Sequence, residues 1–101
     1  MATRLDLQNE LEEMLGSKNV YYRPPANIQM KYDAIRYSED SGAIRFADDI
    51  RYSQMNCYEL IVIAKLPGHP VIQKLLSMPY CSWVRGYVAD NLNHDIFRLY
   101  Y

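Results

Sequence analysis

The chain has 101 residues, half of them apolar, enough for one hydrophobic core and too few for two, so residues 1–101 are read as a single domain. Eleven Lys and Arg against twelve Asp and Glu leave a net charge of −1, which argues against a global attraction to nucleic-acid phosphates or anionic lipid. No apolar run approaches the roughly 20 residues needed to cross a bilayer, and Met1-Ala2-Thr3-Arg4-Leu5-Asp6 carries no apolar signal core, so no membrane partner is expected and synthesis is expected in the cytoplasm.

Thr3 can cap a helix with Asp6 three residues on, and Leu7, Leu11, Met14 and Leu15 then recur at helical spacing before Gly16. Its outer face, with Asp6, Glu10, Glu12 and Glu13, reads as solvated. Residues 19–22 suit a short strand stopped by Pro24-Pro25. Ile28, Met30, Tyr32 and Ala34 alternate with polar residues, but Ile35 and Tyr37 take the opposite phase, which predicts a bulge or break near Asp33-Ala34 and a surer strand over 34–38. Glu39-Asp40-Ser41-Gly42 reads as a turn, residues 43–46 as a short strand, and Asp48-Asp49 as a loop.

The stretch Tyr58-Glu59-Leu60-Ile61-Val62-Ile63-Ala64 has one polar residue and a β-branched middle, which predicts a central strand covered on both faces. Pro67-Gly68 breaks it. Pro70 suits a first helical turn, and Val71, Ile72, Leu75 and Leu76 continue an amphipathic helix that Pro79 ends. Cys81, Trp83, Arg85, Tyr87 and Ala89 alternate with their neighbours as a strand would, Asp90-Asn91-Leu92-Asn93 suits a tight turn, and residues 96–101 form a last strand. The predicted fold class is α+β: a mainly antiparallel sheet with an N-terminal helix and a second helix packed on it.

A catalytic reading would begin at Asp90, His94 and Asp95, because a carboxylate beside a histidine can orient a base or bind a metal. Nothing completes the set: there is no Gly-rich phosphate loop, HExxH, nucleophile elbow or paired-Cys motif, and His69 lies in a turn between Gly68 and Pro70. Asp90, Asn91, Asn93, His94 and Asp95 are therefore read as a structural turn, with no enzyme activity, metal or cofactor expected. Cys57 and Cys81, without CxxC spacing, read as buried reduced thiols. Arg36, Arg45, Arg51, Arg85 and Arg98 are dispersed among acids and read as solvent-facing strand positions.

Ten Tyr against two Phe and one Trp is the compositional oddity, and Tyr suits both half-buried sheet faces and protein interfaces. Phe46 and Ile50 are apolar in a segment rich in Asp and Arg, which suits a subunit contact over 46–52 that includes Tyr52. In such a contact Asp48 and Asp49 would need basic partners such as Arg36, Arg45 or Arg85 on a neighbouring copy.

Asn19-Val20-Tyr21-Tyr22-Arg23-Pro24-Pro25, Met30-Lys31-Tyr32, Phe46-Ala47-Asp48, the strand at 58–64, Pro79-Tyr80-Cys81-Ser82 and Ala89-Asp90-Asn91-Leu92-Asn93-His94-Asp95 follow one another over nearly the whole chain. In that order they resemble tail terminator, or tail-completion, proteins of the tailed-bacteriophage neck. The resemblance implies a non-catalytic virion protein that forms a ring, of six subunits, on the head-proximal end of the tail tube. It also implies partners: further copies of itself, the tail tube protein, a neck or connector protein on the head side, and a sheath protein where the tail contracts. DNA would pass through the lumen without being bound specifically. Ile44-Arg45 and Gly68-His69 depart from the more acidic or polar loops expected of that family. Two other classes stay open: another neck or head-completion protein, marked by rings of twelve or portal binding, and a small regulatory binding module, marked by a stable monomer.

Overall fold

The apolar run at 57–64 cannot be solvated on either edge or on its helix-facing side, and it takes the middle place in a five-stranded sheet. A computed structural model describes residues 3–40 and 56–101. In chain order the elements are α1 (Arg4–Leu15), β1 (Val20–Tyr22), β2 (Ala34–Glu39), β3 (Cys57–Ala64), α2 (Pro70–Leu76), β4 (Cys81–Ala89) and β5 (Leu92–Tyr100). The strand order is β1-β2-β3-β5-β4; β1 runs parallel to β2 and every other pair is antiparallel. The fold is α+β, as the order of sequence signals implies.

Both described helices lie on one face. Their Leu7, Leu11, Val71 and Leu75 meet Val20, Ile35, Tyr37, Tyr58, Leu60, Val62, Phe97 and Leu99 in one buried cluster. Each helix starts and stops where its sequence says. The Thr3 hydroxyl accepts from the Asp6 amide while the Asp6 carboxylate accepts from the Thr3 amide, and Gly16 closes α1 at φ 80°, a left-handed conformation that costs other residues a clash at Cβ. Pro70 opens α2, and His69 caps it through Nδ1, which accepts from the Val71 amide at 3.0 Å. Residues 28–33 are not a strand, so the phase change near Asp33-Ala34 is a break and not a bulge.

Gln8 ties the helix layer to the sheet edge. Its amide donates to the Val20 carbonyl at 3.0 Å, and its oxygen accepts from the Tyr37 hydroxyl at 2.5 Å. Arg4 donates to the same hydroxyl and lies 4.2 Å from the centre of the Tyr22 ring. A tyrosine with a fully buried ring thus keeps its polar end satisfied. At the other end of α1 the Tyr101 hydroxyl donates to Glu10.

Three sequence expectations need correction. Asn93, His94 and Asp95 do not belong to the turn: only Asp90 and Asn91, at φ 53° and 61°, make it, and β5 begins at Leu92. Two successive positive φ values define the tight loop whose twist suits a two-residue hairpin. Strand β4 does not keep one phase, because a bulge between Trp83 and Arg85 shifts the register, leaving Cys81 and Trp83 on the helix face and Arg85 and Tyr87 on the other. Finally, β3 is not equally covered on both sides: Tyr58, Leu60, Val62 and Ala64 on the helix face are all buried, whereas on the helix-free face Cys57 and Ile63 are buried but Glu59 and Ile61 are only half-buried.

Ile63→Ala should therefore cost about 2–5 kcal/mol through lost burial and a cavity, and Ile61→Ala about half as much. Urea denaturation of the two variants checks the order, and an equal loss would mean that Ile61 is as well shielded on the helix-free face as Ile63. Burial first, then the bond to Glu10, pushes the Tyr101 phenol up to about 12. The folded state thus favours the neutral phenol, so this stabilisation is complete below about pH 10 and is lost as pH rises toward about 12. The Tm of Tyr101→Phe should fall less than that of the natural chain between pH 9 and 12.

Candidate functional site: an apolar edge strand

Strand β4 is nine residues long, forms one edge of the sheet, and contains no Pro and one charged residue, Arg85. Its burial is unlike that of any other described strand: Val88 is 69% exposed and Trp83 52%, with Val84 and Tyr87 exposed beside them. Long, apolar edge strands are templates for pairing with another chain, since they present a row of backbone donors and acceptors together with side chains that gain by leaving water.

The hairpin β4–β5 is ordered by its own contacts. Asp95 and Trp83 share the helix face, and the Trp83 indole N–H donates to Asp95 Oδ1 at 3.1 Å. Gly86 makes this possible: a Cβ there would stand 2.9 Å from Asp95 Oδ1 and 3.5 Å from the indole ring. On the other face the His94 ring stacks on Tyr87, with centres 4.7 Å apart and planes 10° from parallel, and Arg85 lies 5.7 Å from the Tyr87 ring centre. His94 Nδ1 donates to the Leu92 carbonyl at 3.0 Å, since a carbonyl can only accept. Between the hairpin and the start of α2 lies an open groove of about 420 Å³, walled by Pro67, Ile72, Gly86, Val88 and Asp95.

The residues first considered for chemistry do not converge. His94 and Asp95 are neighbours on β5 and point to opposite faces, and Asp90 sits in the turn. Among the described residues no group of three or more His, Cys, Asp and Glu is placed to hold a metal ion. Burial pushes both thiols up, that of Cys81 to about 11, so each is held as the unreactive thiol near neutrality. Cys57 is buried; Cys81 is only half-buried.

Of the expected contact residues, Arg45, Phe46, Asp48, Asp49, Ile50 and Tyr52 lie outside the described residues, as does the strand read over 43–46. Arg36 and Arg85 are both exposed on the helix-free face, in one row with Ile61 and Ile96 between them. Three strand spacings put them about 14 Å apart, so they do not form one patch. The sequence marks Trp83, Val84 and Val88 only as strand positions and not as a contact surface. The signal was present, a nine-residue strand with one charge, but edge position is set by strand order.

A second apolar surface lies at the opposite end of the sheet. Pro24, Pro25, Ala26, Ile28, Met30 and Arg36 wall a concavity of about 110 Å³, and Ile28 is exposed. Comparison with protein-family models, with curated proteins and with solved structures finds no match to this chain.

Gly86→Ala should break the Trp83–Asp95 bond, red-shift Trp fluorescence and destabilise the fold by about 1–3 kcal/mol. Unchanged emission and stability would mean that Asp95 turns aside at no cost.

Proposed function

We propose that the protein is a structural virion component of a tailed phage, a tail terminator that closes into a head-to-tail ring at the head-proximal end of the tail tube, stops tube growth and joins tail to head. The observation that carries this reading is the exposed, apolar edge strand β4, at the opposite end of the sheet from the Pro24-Pro25 surface. A closed ring needs two different, complementary patches on each subunit, one at each end, and these two supply them. The residue types fit: aromatic and aliphatic side chains on β4 against Ile28, Met30 and the aliphatic stem of Arg36 make an apolar centre with a charged margin. The ordered series of motifs from Asn19 to Asp95 that resembles tail terminators supports the same reading.

Native mass spectrometry of the chain mixed with tail-tube protein tests it. The expected result is a six-subunit ring bound to tube ends, lost in Ile28→Asp with the fold unchanged. A twelve-subunit ring would instead indicate a head-completion protein, and a chain that stays unassembled with tubes present would overturn the reading.

A further inference from the structure

The two edges of the sheet are built differently, and the difference says what covers β4 before any ring forms. On either side of β1 the Asn19 carbonyl and the Arg23 amide bond to β2, so by the alternation of a strand the Val20 carbonyl points outward. That carbonyl is already taken by the Gln8 amide, α1 touches the strand, and Pro24-Pro25 ends it after three residues. A short, capped, proline-stopped edge is closed to strand addition. Among the described residues, strand β4 has none of these protections. Its one irregularity, the bulge at Val84, leaves a regular run from Arg85 to Ala89.

We infer that in the unassembled protein β4 pairs antiparallel with β4 of a second copy, across a twofold axis, to make one continuous ten-stranded sheet. A second copy is the occupant because β4 cannot pair with the closed β1 edge, while a twofold contact needs only the open edge, used twice. Register follows from charge. Pairing centred on Arg85 would set two guanidinium groups directly opposite each other, which is unfavourable. Pairing centred on Gly86 sets Arg85 opposite Tyr87 of the second copy, on the helix-free face, and does so twice. It also sets Val88, the most exposed residue of the strand, beside the bulge at Val84 of the second copy, so that both exposed valines leave water. Arg85 already lies over the Tyr87 ring of its own strand, so the cross-strand contact asks for little rearrangement.

The pairing has a regulatory consequence that rests on the ring reading. A twofold pair occupies β4 on both copies and blocks head-to-tail contact, so free subunits would not close into rings until a tube end displaces the second copy. Sedimentation equilibrium of the full chain over a range of concentrations, without tube protein, tests the pairing. The natural chain and Val88→Thr should dimerise, and Val88→Lys should weaken the dimer at least tenfold while its far-UV spectrum and Tm stay unchanged, because that side chain is mostly exposed. Ile28→Asp, which should abolish the ring, should leave the dimer intact. A natural chain that stays monomeric at the highest concentration, or a dimer indifferent to Val88→Lys, overturns the inference. Neither result touches the ring reading, which fails or stands on assembly with tubes.

Discussion

The burial of Leu60 and Val62 under two helices is the contact on which the rest of the molecule depends. Strand β3 is hydrogen-bonded to β2 on one side and β5 on the other, and its helix-facing residues reach Leu7, Leu11, Val71 and Leu75. The helices that cover it are short. Seven residues of α2 span about 10 Å, whereas nine residues of β4 or β5 span about 30 Å. One helix of that length cannot shield the whole hairpin, so its far part, with Trp83 and Val88, stands in solvent on the same face that is dry over β3. The exposed edge is thus a direct result of element lengths.

Tyrosine serves two ends in this molecule. Tyr37 and Tyr101 bring large rings against the core and settle their hydroxyls on Gln8 and Glu10, and Tyr22 packs on Tyr37 and donates to Glu39. Phenylalanine would fill the same space but leave Gln8 and Glu10 without these partners. Tyr80 and Tyr87, by contrast, are exposed at or near the edge strand. The surplus of tyrosine over phenylalanine is therefore divided between a core that carries polar groups at its margin and a surface suited to protein contact.

In the assembly proposed for this protein, the two ends of the sheet would divide the work. One is closed at the backbone and offers only side chains, at Ile28 and the Pro24-Pro25 segment; the other is open at the backbone and apolar at the side chains. Heterologous contacts between unlike ends can close a ring, and isologous contacts between like open ends can only pair. In the proposed assembly both contacts would draw on β4, so the same strand would hold subunits apart from a ring and later hold them in one.

Local chemistry determined a good deal from the sequence alone. Thr3 with Asp6, Gly16, Pro70 and the Asp90-Asn91 pair each set an element boundary through hydrogen bonds and dihedral preferences among residues a few positions apart. The apolar run at 57–64 marked the central strand because nothing else in the chain could bury so much β-branched surface. What sequence could not reach was whatever depends on strand order. Periodicity says which residues share a face but not which strand lies at an edge, so Trp83, Val84 and Val88 read like any other strand positions until β4 was placed outside β5. It also missed the bulge that turns Arg85 away from Trp83, and it drew His94 and Asp95 into a turn, because their polarity suits a loop as well as it suits the open faces of a strand that only one short helix partly covers.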